Sequence, residues 1–263
     1  MQPINYLNPQ QYFPSPRLDN VLLLIPSGSG PKLRTRAVMD QLETAGVTVC
    51  ISYGCSDVAL HRCIVAGRAL KGLQSSPSIE YVMWFDDDMV ATPSHVAFLR
   101  AALRSTSHAD LGAVTGIYCK RNNPSQVTIR PYHGKKSRDS YVIADMPDPQ
   151  ESRIVPFESH PVLCGMGCLM MTRATFERHC AASPQFETHT ASGEFLPAID
   201  ASGVVTDEEG KLGWISEDQV YCTGLWQYCE GVWTTPIAFG HICEVAVFPK
   251  PDAEWLETQG ATS

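Results

Sequence analysis

The chain has no CxxC pair, no GxGxxG, no lysine-bearing phosphate loop, and no apolar run near the ~20 residues that span a bilayer. Each absence excludes something. Without CxxC the strong zinc and thioredoxin-like patterns are gone. The ten cysteines lie mostly inside apolar segments and read as small buried hydrophobes in a reducing compartment. Cys164, Cys168, His241 and Cys243 are the one zinc alternative left. Without a phosphate-loop lysine, Ser27-Gly28-Ser29-Gly30 reads as a plain turn. Positive charge is also scarce. Lys and Arg number 20 against 28 Asp and Glu, a net charge of −8. That argues against a general nucleic-acid coat or attraction to anionic membrane. Met1 to Pro16 has neither the basic start nor the apolar core of a secretory leader, so a cytoplasmic protein is expected.

What is present fits an α/β domain. At 263 residues the chain can bury a sizeable core. Residues 1–19 read as an irregular arm, 20–245 as a single domain, and 246–263 as a tail. Val21-Leu22-Leu23-Leu24-Ile25 is a continuous apolar run, as in a strand buried on both faces. Leu33, Ala37, Val38, Leu42 and Ala45 follow at helical spacing, Gly46 stops the helix, and Val47 to Tyr53 is a second strand. Strand, helix, strand implies a right-handed crossover and a mainly parallel sheet with helices on both faces. Ser56 to Leu73 reads as a helix capped by Ser56. Arg62 and Arg68 on it would meet an anionic ligand or face solvent.

Tyr81 to Phe85 is another buried strand, and it runs straight into Asp86-Asp87-Asp88. Ligands collect at the carboxyl ends of such strands. Three adjacent carboxylates repel one another, and a cation relieves that. If strand geometry continues, Asp86 and Asp88 share a side and Asp87 points away. The same residues also suit an acidic turn before the helix that begins at Pro93.

Five later stretches stand out. Pro161 to Met171 is apolar but broken by Gly165 and Gly167, which marks close approach of a ligand or backbone, or a bulge. Ser216-Glu217-Asp218 caps a helix, and both acids suit its positive end. His241 stands beside Gly240. Residues 181–213 read as a loop-rich insertion. The segment 120–138 holds six of the twenty Lys and Arg residues and no acid: Lys120, Arg121, Arg130, Lys135, Lys136 and Arg138. It is either a solvated hairpin, with Val127 to Arg130 as one arm, or a surface for phosphate groups.

In this order, Asp86-Asp87-Asp88, Gly165-Met166-Gly167, Ser216-Glu217-Asp218 and His241 resemble the core of the GT-A glycosyltransferases. Those enzymes have a Rossmann-like sheet, a DxD metal motif, a glycine loop, an xED motif and a late metal-binding His. The likeness spans residues 20–245. Asp57 to Arg62 is also similar to the nucleotide-binding helix of bacterial and phage-type members, though Cys63 replaces their usual Asn.

The resemblance implies transfer of a sugar from a nucleotide-diphosphate sugar, UDP-sugar favoured, to an acceptor hydroxyl. Asp86, Asp88 and His241 would hold Mn²⁺ or Mg²⁺, which neutralises the leaving diphosphate. Pro26, Ser27, Arg62, Asp86, Asp87, Gly165, Met166 and Gly167 would meet the donor. Asp218 would be the general base, supported by Glu217, giving inversion; retention stays open. The acceptor would be a glycan or, through the basic segment, hydroxymethylated DNA. The alternatives are a nucleotidyltransferase acting on a sugar phosphate and a non-catalytic sugar- or nucleic-acid-binding module.

Overall fold

A computed structural model describes residues 8–55, 57–105, 112–120, 123–131, 162–187, 195–200, 203–206, 212–229 and 231–242. Six strands form the central sheet: β1 Val21–Ser27, β2 Thr48–Tyr53, β3 Tyr81–Phe85, β4 Ala113–Ile117, β5 Cys168–Thr172 and β6 Val232–Ala238. Their order is β6-β4-β5-β3-β1-β2. β1 is parallel to both β2 and β3, and β6 is parallel to β4. β5 alone runs the other way, antiparallel to β3 and β4. The fold class is α/β with a mostly parallel central sheet, as the apolar runs imply.

The helices are α1 Leu33–Thr44, α2 Val58–Gln74, α3 Pro93–Ser105, α4 Arg173–Ala182 and α5 Glu217–Tyr228. Alternation along the strands sorts them onto two faces. Leu23, Ile25, Met83 and Phe85 point into one core with Val38 and Leu42 of α1 and Phe98 and Leu99 of α3. Leu22, Leu24, Val82 and Trp84 point into the other, with Val65 and Leu73 of α2, Phe176 of α4 and Tyr221 and Leu225 of α5. β1 and β3 are buried along their whole lengths because helices cover both faces. Trp84 of β3 also donates its indole N–H to the Tyr221 hydroxyl at 2.9 Å, which ties α5 to the strand.

The structure corrects several sequence readings. Asp57, not Ser56, caps α2: its carboxylate accepts the Leu60 N–H at 3.0 Å. Ser56 lies outside the described residues. The stretch from Pro161 is not one bulged strand. Val162–Leu163 pairs with Arg130–Pro131, a turn follows, and only Cys168–Thr172 enters the sheet. Val127 and Arg130 therefore belong to different ladders, since Asn123–Val127 pairs with Cys119–Lys120. The supposed loop 181–213 contains two antiparallel ladders, Gln185–Glu187 with Phe195–Pro197 and Gly203–Thr206 with Leu212–Ile215. These strands are three or four residues long, too short for a period-2 signal to stand out. Among the described residues no helix is long and apolar enough to cross a membrane.

Candidate active site

The site begins at the register between β1 and β3. Val21 pairs with Tyr81 and Leu24 with Trp84, which brings the end of β1 beside the residues that follow β3. The Ser27 hydroxyl donates to Asp87 Oδ2 at 2.7 Å and accepts the Gly30 N–H at 3.0 Å. Strand geometry stops at Phe85. The Met89 N–H then closes a turn onto the Asp86 carbonyl.

Met89–Val90 pairs antiparallel with Gly240–His241, so the chain's late histidine is delivered by backbone register. The Ile242 N–H donates to the Asp88 carbonyl at 2.8 Å, and His241 Nε2 stands 3.3 Å from Asp88 Oδ1. The three acids thus go three ways: Asp86 to Arg62, Asp87 to Ser27, Asp88 to His241. The expected common side for Asp86 and Asp88 fails because the turn ends the strand alternation between them. Repulsion is relieved by a separate partner for each acid.

Arg62 is the centre of the second half. Its side chain is 3% exposed, so it does not face solvent. Nη1 donates to Asp218 Oδ1 at 2.8 Å and to Asp200 Oδ2 at 3.2 Å, and Nη2 donates to Asp86 Oδ1 at 3.2 Å. One cation therefore serves three carboxylates of graded burial: Asp200 is fully buried, while Asp86 and Asp218 are 23% and 32% exposed. Burial alone disfavours the guanidinium's charge, but the three acids together hold its pKa well above the usual value. Burial pushes Asp200 up to about 7, opposed by Arg62. Burial also raises Asp218, and Asp86 and Glu217 add to it against the pull of Arg62.

Asp218 lies in the first turn of α5. Ser216 and Gln219 form a capping box there, fixing where the helix starts. The Gly165–Gly167 turn meets it: the Met166 N–H donates to Asp218 Oδ1 at 3.3 Å. Tyr118, at the end of β4, fills the space beneath the turn. Its hydroxyl accepts the Gly167 N–H at 2.9 Å, and a Cβ on Gly165 would collide with that hydroxyl. A Cβ on Gly167 would stand 2.9 Å from the ring. The glycines thus make room for Tyr118. The same ring packs edge-on to His241 with centroids 5.5 Å apart, so Tyr118 joins the Asp88–His241 pair to the Asp218 side.

Of the sequence candidates, Ser27, Arg62, Asp86, Asp87, Asp88, Gly165, Met166, Gly167, Asp218 and His241 are all joined in this network. Pro26 is buried in β1 opposite Ser52. Glu217 acts on Asp218 and Asp200 as a neighbouring charge. Lys120 and Arg130 lie on the short ladders already described. Arg121, Lys135, Lys136 and Arg138 lie outside the described residues.

Among the described residues the zinc alternative is not assembled. Cys164 Sγ lies 3.8 Å from Cys222 Sγ, and Cys168 Sγ lies 3.6 Å from Thr115 Oγ1. Cys243 is outside the described residues, among which no group of three His, Cys, Asp or Glu stands close enough to hold a metal ion.

Sequence reasoning missed Asp200 and Tyr118. Asp200 had a signal: Leu196 to Ile199 is a short, mostly apolar segment running into an acid, as Phe85 runs into Asp86. Tyr118 had only its place at the end of a strand.

Compared with known proteins, the chain matches no family in sequence and no curated protein. Several solved structures are similar in shape, two of which follow. A197 from STIV is 16% identical with a TM-score of 0.39, covering 74% of this chain and 93% of its own. A glycosyltransferase involved in the glycosylation of the major capsid of PBCV-1 is 12% identical with a TM-score of 0.31, covering 60% and 61%. At these values neither likeness carries an argument about this chain.

Proposed function

We propose that the chain is a glycosyltransferase of the GT-A type, moving a sugar from a nucleotide-diphosphate sugar to an acceptor hydroxyl. One observation carries this reading. Four motif pieces scattered over more than 150 residues meet at one edge of the sheet. The Asp88–His241 pair and the Asp218 carboxylate are linked through the Tyr118 ring and hydroxyl and the glycine turn. The two groups suit two tasks: neutralising a leaving diphosphate and taking a proton from an acceptor.

Asp88 and His241 would supply a carboxylate and an imidazole to Mn²⁺ or Mg²⁺. A pair of protein ligands is enough where diphosphate oxygens and waters complete the shell. The ion would act as a Lewis acid on the leaving diphosphate. Asp87, just beyond β3 and held by the buried Ser27 hydroxyl, would meet the donor's nucleoside. Asp218 would act as general base. Its raised basicity fits the task, because proton transfer is fastest when the base's pKa lies near the working pH. Arg62 would hold Asp218 and Asp86 rather than contact phosphate, since its donors already go to carboxylates.

UDP-sugars are the donors to screen first. The acceptor would be a glycan or hydroxymethylated DNA, the latter through Lys120, Arg121, Arg130, Lys135, Lys136 and Arg138.

Calorimetry with UDP tests the donor side. Binding should need Mn²⁺ or Mg²⁺ and fail in excess chelator; equal affinity in both would remove the metal from the reading. Release of pyrophosphate from a nucleoside triphosphate would instead favour a nucleotidyltransferase.

A further inference from the structure

Resting on the reading of Asp218 as the base, we propose that Asp200 is a positioning residue that sets the state of Asp218 through Arg62. The geometry is specific. Both acids take a hydrogen bond from the same nitrogen, Nη1, Asp218 at 2.8 Å and Asp200 at 3.2 Å. Asp200 is the buried end of this strut and Asp218 the more exposed end. Asp200 is fixed by its own backbone, whose carbonyl accepts from Cys63 Sγ at 3.5 Å, one residue beyond Arg62 on α2.

Within the described residues, Asp200 Oδ1 and Arg62 Nε have no hydrogen-bond partner. Asp200 therefore meets the guanidinium through one oxygen only, on Nη1. The guanidinium is turned so that its Nη atoms reach Asp218 and Asp86. A buried carboxylate pulling on Nη1 from the inner side takes part of the cation from Asp218 and adds a negative charge behind it. Both effects keep Asp218 ready to accept a proton.

The charged and titratable groups around Asp218 are Arg62 from α2, Asp86 beyond β3, Asp200 beyond the 195–197 strand, Glu217 on its own helix, and Tyr118 and Cys164 on the turn side. Asp200 is the one of these carboxylates that is fully buried and shares a donor nitrogen with Asp218.

The test is Asp200→Asn, which keeps an oxygen for Nη1 and removes the charge. Carboxyl ¹³C titration of Asp218 in the wild type should carry an inflection at the Asp200 midpoint of about 7, and Asp200→Asn should remove it. The pH profile of the transfer rate should lose the same inflection. A merely structural role would change stability or rate and leave the shape of both curves as it is, and that result overturns the proposal. If Asp200→Asn does not fold, the wild-type titration decides. The Asp218 signal should carry a second inflection at the Asp200 midpoint, and a single inflection overturns the proposal. The ¹³C arm needs no substrate. Absence of transfer activity would refute the glycosyltransferase reading while leaving this inference to its own measurement.

Discussion

Replacing Arg62 by Met is the sharpest probe of the site, because the variant keeps the side chain's approximate bulk and removes its charge. Three carboxylates would lose their common donor, and one of them, Asp200, is fully buried. Removing one partner of a buried ion pair typically costs about 3–5 kcal/mol, because a charge is left uncompensated. Against a fold stability of about 5–15 kcal/mol, that is a large fraction.

The pH dependence gives the reasoning its sign. A carboxyl whose folded pKa is raised stabilises most below its unfolded value, and that contribution is lost as pH rises through the folded value. Asp200 already sits at about 7 with Arg62 present, and losing Arg62 can only raise it further. The stability deficit of Arg62→Met should therefore be largest near pH 8 and smaller near pH 5, by at least about 1 kcal/mol. Urea denaturation of both proteins at the two pH values measures this. A deficit that does not change with pH would show that Arg62 acts by packing alone and would sink the electrostatic account. Arg62→Lys should recover only part of the loss, because one ammonium cannot offer the fork that reaches both Asp86 and Asp218.

Three further outcomes follow from the same contacts. Asp218→Asn should keep UDP binding and lose transfer by roughly 10²–10⁴-fold; in the wild type, rate should rise with pH through a midpoint above the ordinary aspartate range, and unchanged turnover in the variant would remove Asp218 as base. Gly165→Ala should destabilise by about 1–3 kcal/mol by driving a methyl into the Tyr118 hydroxyl, and by clearly less in a Tyr118→Phe background; equal costs in a double-mutant cycle would refute the packing explanation of that glycine. If hydroxymethylated DNA is the acceptor, affinity should fall steeply with salt, and replacing Lys135, Lys136 and Arg138 by Ala should flatten the slope by about 0.9 for each phosphate no longer neutralised; a salt-independent interaction would end the DNA idea.

The elements were legible where one local pattern decided them. Both-face burial made β1 and β3 continuous apolar runs, Pro93 opened α3, and Ser216 capped α5. The pieces of the site were legible as types: acids at a strand end, glycines in an apolar stretch, a late histidine. Their pairing was not. The three partners of Arg62 lie 24, 138 and 156 residues away along the chain, and no local periodicity carries contacts of that range. The turn after Phe85 was also hidden, because three identical acids give no sign of where strand alternation stops.

Arg62 shows where a closer reading had a handle. Taken alone, an arginine on a helix belongs to the solvated face. Yet Arg62, Ala66, Ala69 and Leu73 fall at i, i+4, i+7 and i+11, a single helical stripe, and all four are buried. Val58, on which the apolar reading of that helix partly leaned, is 47% exposed. The small alanines were the better signal, since they let the helix lie close to the sheet and carry Arg62 inward with them. A guanidinium in that stripe cannot stay unpaired, because burying an uncompensated charge costs more than the fold can offset. Acids must therefore come to it from elsewhere in the chain. Once Arg62 is recognised as buried, the question changes from which ligand it binds to which carboxylates it holds. That question leads to Asp200, whose acid has no reason at the end of an apolar segment unless a buried cation waits for it.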